Sequence, residues 1–249
     1  MLEHVPAWLG HALRNVRAGA EKLAIAQAEL RADASVELMS PAFANGAAIP
    51  PRFTADRAGV SPPLVWSGVP AGVASLALLV EDPDAPAPNP LVHAVIWGLP
   101  ADAGRLEEGA IVADRGNGPD VGRNSYFREG WLPPDPPTGH GEHRYAFQLF
   151  ALSAGAGDPG RNPGRAALVR AMTGHVLAAG LLSACTRAAS QPRPAPAARW
   201  FPASVSARAR PSPPGRARRP WRGRARGRRG RRPIRTARLH PPRRARRRR

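Results

Sequence analysis

Two stretches decide how this chain folds: EDPDAP (81–86) running on to LVHAVIWGLP (91–100), and PPDPPTGHGEHRYAFQLFAL (133–152). Each sets a Pro- or Gly-rich loop against a run of apolar residues, the pattern of a rigid loop held at the mouth of a strand. Between them they carry Asp82, His93, His143 and Tyr145. These polar side chains are suited to holding a small anion: the histidines donate, Tyr145 adds a hydroxyl, and Asp82 fixes an imidazole tautomer by accepting its N–H. The turn Thr138–Gly139–His140–Gly141 is expected to aim backbone N–H groups at the same ligand. Pro83, Pro86, Pro136 and Pro137 stiffen the loops, so little entropy is lost on binding. Two or three charge-assisted hydrogen bonds, each worth about 1.5–3 kcal/mol, imply micromolar to millimolar affinity.

Outward from these blocks, the texture is of short strands separated by Pro and Gly. Segments 36–39, 64–66, 75–81, 92–98 and 144–152 read as strands with no βαβ rhythm, which points to an antiparallel β-sandwich. Residues 6–32 have apolar side chains near helical spacing, so 1–34 is expected to be an amphipathic N-terminal helix. A second helix is expected over 165–179, capped by Asn162 and Pro163 and ended by Gly180.

Charge is unevenly spread. Of 37 Lys and Arg, 23 are arginines within 186–249, which holds no Asp, Glu or Lys; this leaves 14 basic against 18 acidic residues for the rest. The body is therefore mildly acidic, and the formal charge of +19 belongs to the tail. An Arg-, Pro-, Ala- and Gly-rich segment buries too little apolar surface to order itself, so 186–249 is expected to be disordered. Two readings of it stand side by side: a basic arm making non-specific nucleic-acid contacts by counterion release, or an unselected extension from a GC-rich gene read out of frame.

The single cysteine, Cys185, excludes an internal disulfide framework. No secretory signal pattern opens the chain and no apolar run is long enough to span a bilayer, so the expected location is the cytoplasm.

The residues carry a resemblance. DPDAP (82–86), His93 ahead of an apolar strand, PPTGHGEHRY (136–145), SPAF (40–43) and SPPLVW (61–66), in this order and spacing, resemble the phosphatidylethanolamine-binding protein family, specifically its bacterial Raf-kinase-inhibitor-like branch. The likeness covers about residues 35–182. It implies a mostly β fold, an antiparallel β-sandwich occupying 35–185. It also implies a pocket lined by Asp82, Ala85, Pro86, His93, Pro137, His143 and Tyr145 that takes a phosphate-bearing head group or a carboxylate. Some members restrain kinases or proteases, so a protein partner is a further expectation, as is a homodimer. Three departures stand out: Leu91 where relatives often place Trp, a loop 131–135 poor in glycine, and an Arg tail where relatives finish with a short strand. Loss of that strand would leave an unpaired sheet edge.

Other chemistries read less well. His93, His140 and His143 could be zinc ligands with Asp82, and Ser67, Ser125 or Ser153 could be a nucleophile beside His143, yet no nucleophile-elbow sequence surrounds any of them. The reading is a binding module rather than an enzyme, without cofactor or metal. Arg144, between His143 and Tyr145 on a strand, is expected on the opposite face in an ion pair.

Overall fold

The computed structural model describes residues 6–113 and 119–187. Among the described residues nine strands form two sheets: β1 (Ala34–Ser35), β2 (Glu37–Met39), β3 (Leu64–Ser67), β4 (Ser75–Asp82), β5 (Leu91–Pro100), β6 (Arg105–Leu106), β7 (Asp120–Val121), β8 (Glu142–Leu152) and β9 (Val176–Arg187). The larger sheet runs β1-β9-β8-β4-β5-β7 and the smaller β2-β3-β6. Pairing is antiparallel throughout except at β1, which lies parallel to β9.

The central strand β4 explains why LALLVE shows no alternation: both faces of the large sheet are covered. Leu76, Leu78 and Val80 join Phe147 and Leu149 of β8 and Leu64 and Trp66 of β3 in the core between the sheets. Ala77 and Leu79 point the other way, into a second core with Phe150, Leu168, Val169 and Met172. The last three come from helix α2 (Arg165–Met172). At the depth of this second layer Glu81 is fully buried. Its carboxylate accepts from Arg165 at 2.5 Å, Gln148 Nε2 at 2.8 Å and the Ala24 amide at 2.9 Å.

That last bond corrects the N-terminal helix. Helix α1 spans only Ala7–Leu13, and the chain then advances in three 3₁₀ turns, Ala20–Lys22, Ala24–Ala26 and Ala28–Leu30. Amides that a continuous helix would use internally are spent on the sheet and on the DPDAP loop. Ala18 donates to Ala85 O, Gly19 to Pro83 O, Ala24 to Glu81 and Ile25 to Gln148. Tertiary partners override helical periodicity here, and Ala24 and Leu30 are buried as a cover on the sheet.

The second helix is also shorter than expected, and its cap is Gly164, not Asn162. Past Gly174, the segment expected as the end of a helix and as a missing strand is in fact β9, paired with β8 from Glu142↔Arg187 to Leu152↔Val176. The sheet edge is not left bare, since β1 and the residue pair Ala48↔Cys185 flank β9. The body therefore extends through Arg187. The expectations for the rest of 186–249, disorder and nucleic-acid contact among them, fall outside the described residues. Among the described residues no helix is long and apolar enough to cross a membrane.

Candidate functional site

Strands β8, β4 and β5 are neighbours, and this adjacency brings the sequence-distant residues to one end of the sheet. Asp82 is the last residue of β4 and pairs with Leu91 at the start of β5. His143 and Tyr145 lie near the start of β8, beside the end of β4. His93 is the third residue of β5.

His143 Nδ1 lies 2.7 Å from Asp82 Oδ2, and both residues are at most 2 % exposed. Asp82 Oδ1 accepts from the Asp84 amide at 2.7 Å, which locks the DPDAP turn. The other nitrogen of His143 is also taken: Nε2 is 2.7 Å from His140 Nδ1. His140 in turn directs Nε2 at the carbonyls of Leu13 (2.8 Å) and Val16 (3.2 Å). Burial, His143 and Arg17 hold the His140 pKa below the ordinary histidine value.

His93 stands on the other side of the group. Its ring meets Tyr145 edge-on, with centroids 5.0 Å apart, and Trp131 at 6.0 Å. Nδ1 is 2.6 Å from Leu132 O and must carry the proton to donate there. Nε2 is buried and has no hydrogen-bond partner among the described residues. Burial lowers the His93 pKa against the opposing pull of Asp82, so the ring is neutral and Nε2 presents a bare lone pair. Burial and then Asp82 push the Tyr145 phenol well above its usual value, keeping it protonated.

His93 faces a cavity of about 230 Å³ whose wall includes Leu91, Asn124, Tyr126, Trp131 and Asp135. Of this wall the sequence singles out Leu91 and the 131–135 loop, as departures from the family pattern, and gives no sign of Asn124 or Tyr126. Asn124 builds it, accepting from the Tyr126 and Arg128 amides and donating to Gly130 O. Of the expected lining, His93 faces this cavity, Tyr145 packs behind it, and Asp82 with His143 form a closed pair. Ala85 and Pro137 are buried, with their carbonyls accepting from Ala18 and His140, and Pro86 is half-buried. The expected nest at 138–141 is therefore partly used up: the His140 amide serves Pro137, and the turn packs against α1. A Cβ on Gly10 would come 2.1 Å from Thr138 O, and one on Gly139, at φ 86°, 2.8 Å from Ala7 O.

Arg144 does point away and forms the expected ion pair. Its Nε and Nη2 each lie 2.8 Å from an Asp84 oxygen, its amide donates to Asp84 Oδ2, and Arg17 reaches Asp84 Oδ1 at 2.8 Å. Burial alone would raise the Asp84 pKa, but the Arg144 and Arg17 bonds outweigh it and hold it at about 2.

Two rings that bond each other nitrogen to nitrogen do not share a metal, and among the described residues no group of three or more His, Cys, Asp or Glu is arranged to hold one. The candidate serines are engaged elsewhere: Ser67 donates to Glu37, Ser125 Oγ accepts from the Val92 amide, and Ser153 contacts His175.

A two-sheet sandwich with buried histidines gathered at the ends of its central strands defines the class. Comparison with known proteins gives the family. The family model described as phosphatidylethanolamine-binding protein matches residues 39–187, and the chain belongs to that family. It is similar to a UPF0098 protein of Methanothermobacter thermautotrophicus, 41 % identical over 146 residues, covering 57 % of this chain and 92 % of that one. Among solved structures it resembles the phosphatidylethanolamine-binding protein homologue CT736 of Chlamydia trachomatis, at TM-score 0.55 and 33 % identity over 61 % of this chain and 97 % of that one. It also resembles YbcL of E. coli, at TM-score 0.56 and 28 % identity over 61 % and 98 %.

Proposed function

We propose that this protein binds a small phosphate-bearing ligand, such as a phospholipid head group, in the recess at His93, as a binding module rather than an enzyme. The observation that carries the reading is the buried His93 Nε2, one of three buried side-chain polar atoms without a partner among the described residues, beside Trp66 Nε1 and Asn162 Oδ1, and of the three residues only His93 lines this recess. Trp131 and Tyr126 give the recess apolar and aromatic walls, and its charged lining is Arg128 together with Glu129 and Asp135.

The tautomer sets the chemistry. With Nδ1–H committed to Leu132 O, Nε2 meets a ligand oxygen favourably in only two ways: the ligand brings a proton, or the imidazole takes one up. A phosphate monoester, whose second pKa is about 6, can do either. Binding is therefore coupled to net proton uptake by the complex and strengthens as pH falls from 8 to 6. Tyr145, held as the neutral phenol, packs behind the ring and fixes it.

Calorimetry of phosphorylethanolamine binding in buffers of different ionisation enthalpy tests this. The expected result is uptake of a fraction of a proton near pH 7, and an affinity loss of about tenfold or more in His93→Ala, the equivalent of one charge-assisted hydrogen bond. Equal affinity in wild type and His93→Ala would remove the assignment.

A further inference from the structure

We propose that residues 6–19 form a strap closing the Asp82–His143 half of the binding site, latched by Arg17 and by His140 in one protonation state of the His143–His140 pair. The proposal rests on the site reading above and adds its regulation.

In this conformation His143 offers a ligand nothing, because Asp82 holds one ring nitrogen and His140 the other. To present Nε2, His143 must lose His140. The far nitrogen of His140 is what holds the strap, through Leu13 O and Val16 O. Exposing His143 and letting go of the strap are thus one event. The remaining contacts run along the same line. Arg17 bonds Asp84 at 2.8 Å and Glu142 O at 3.0 Å, while Ala18 and Gly19 donate to Ala85 O and Pro83 O. Each lands on the DPDAP loop or at the start of β8, the elements that frame Asp82 and His143.

The row of contacts also counts protons. It has an acceptor at each end, the Asp82 carboxylate and the strap carbonyls, with two imidazoles between. Three links require three N–H groups, and two neutral imidazoles supply two. All links are satisfied when the pair carries one extra proton, placed on His143 beside Asp82, with His140 neutral and donating from Nε2. Remove that proton and one link sets acceptor against acceptor. Add a second and the two rings point N–H at N–H. The latch is therefore strongest at intermediate pH and weakens on both sides. The charged groups around the pair are Asp82, Asp84 and Glu142, with Arg17 and Arg144 opposite them; His93 faces Asp82 and His143, and His11 lies against Gly139. Asp84 keeps its charge down to pH about 2, so the Arg17–Asp84 contact persists through the acid range.

Hydrogen exchange of the Ala18 and Gly19 amides in the full chain, corrected for intrinsic rates, reads the latch without ligand. Protection should peak at intermediate pH in wild type. In His140→Ala the peak should vanish and exchange should rise about fivefold or more, the loss of one or two net hydrogen bonds. Arg17→Ala, a partly exposed side chain remote from the core, should speed exchange at every pH while keeping the peak. Phosphorylethanolamine should bind both variants several-fold more tightly than wild type. Protection that is independent of pH in wild type, or unchanged in both variants, overturns the latch. Faster exchange with no gain in affinity overturns the closure of the site. Should phosphorylethanolamine bind neither wild type nor variant while exchange follows the expected pH curve, the ligand reading fails and the latch stands.

Discussion

Replacing Asp84 by Asn tests how the DPDAP loop is held. Asp84 is 2 % exposed and accepts two bonds from the Arg144 side chain, one from its amide and one from Arg17. Its pKa falls from 3.8 to about 2 on folding, because those cationic donors outweigh the desolvation that would raise it. A depressed carboxylate pKa means that the unfolded chain binds protons more readily, so the contribution is complete above pH 4 and lost as pH falls towards 2. At about 1.4 kcal/mol per pKa unit, the shift represents about 2.5 kcal/mol at neutral pH. Asn keeps the shape and one acceptor oxygen but not the charge. The variant should lose about 2–3 kcal/mol at pH 7, a fall of roughly 5–10 °C in Tm for a domain of this size. Urea or thermal melts of both proteins at pH 7, 4, 3 and 2 read it. The gap between them should narrow below pH 4, where wild type surrenders the same energy. A variant as stable as wild type at pH 7, or an equal gap at pH 7 and pH 2, would falsify the account.

Two further substitutions probe the layers that support the site. Arg165→Ala leaves the fully buried Glu81 carboxylate without its cationic partner, which should destabilise the fold by about 3–5 kcal/mol; chemical denaturation reads it, and Glu81→Gln in the same chain should recover part of the loss. Gly180→Ala puts a Cβ 2.5 Å from Val36 O, at the seam where β1 lies along β9. Forcing that seam apart should cost about 1–3 kcal/mol, with faster amide exchange confined at first to Val36, whose N–H bonds Ala179 O.

The strands that frame the site were legible because their side chains and turns both spoke. Segments 36–39, 64–66, 75–81, 92–98 and 144–152 each match an observed strand to within a few residues, whereas the order β8-β4-β5, which brings the two motif blocks together, comes from the structure. The elements that were misread share a cause. VLAAGLLSACTR has the Ala and Leu content of a helix, and its period-two burial, with Ala178, Leu182 and Ala184 inside and Leu177 and Leu181 outside, is visible only once β8 supplies a partner along its whole length. Residues 14–33 carry a helical rhythm, yet Glu81, Gln148, Pro83 and Ala85 take the amides a helix would need, and nothing local in the sequence announces those long-range acceptors. His140 reads from the sequence as a metal ligand or part of an anion nest because its partner, a pair of carbonyls some 125 residues earlier, has no side-chain signature at all. The motif residues can therefore be recognised from the sequence, whereas their partners cannot: His140, which holds His143 Nε2, is itself bonded to main-chain atoms of the N-terminal segment, and in the proposed latch those atoms decide whether His143 is open to a ligand. It follows that two chains sharing DPDAP and GHGEHRY can differ in what they bind when their N-terminal segments differ. Exchanging residues 1–33 between such relatives should move strap protection with the segment and leave the His93 recess unchanged.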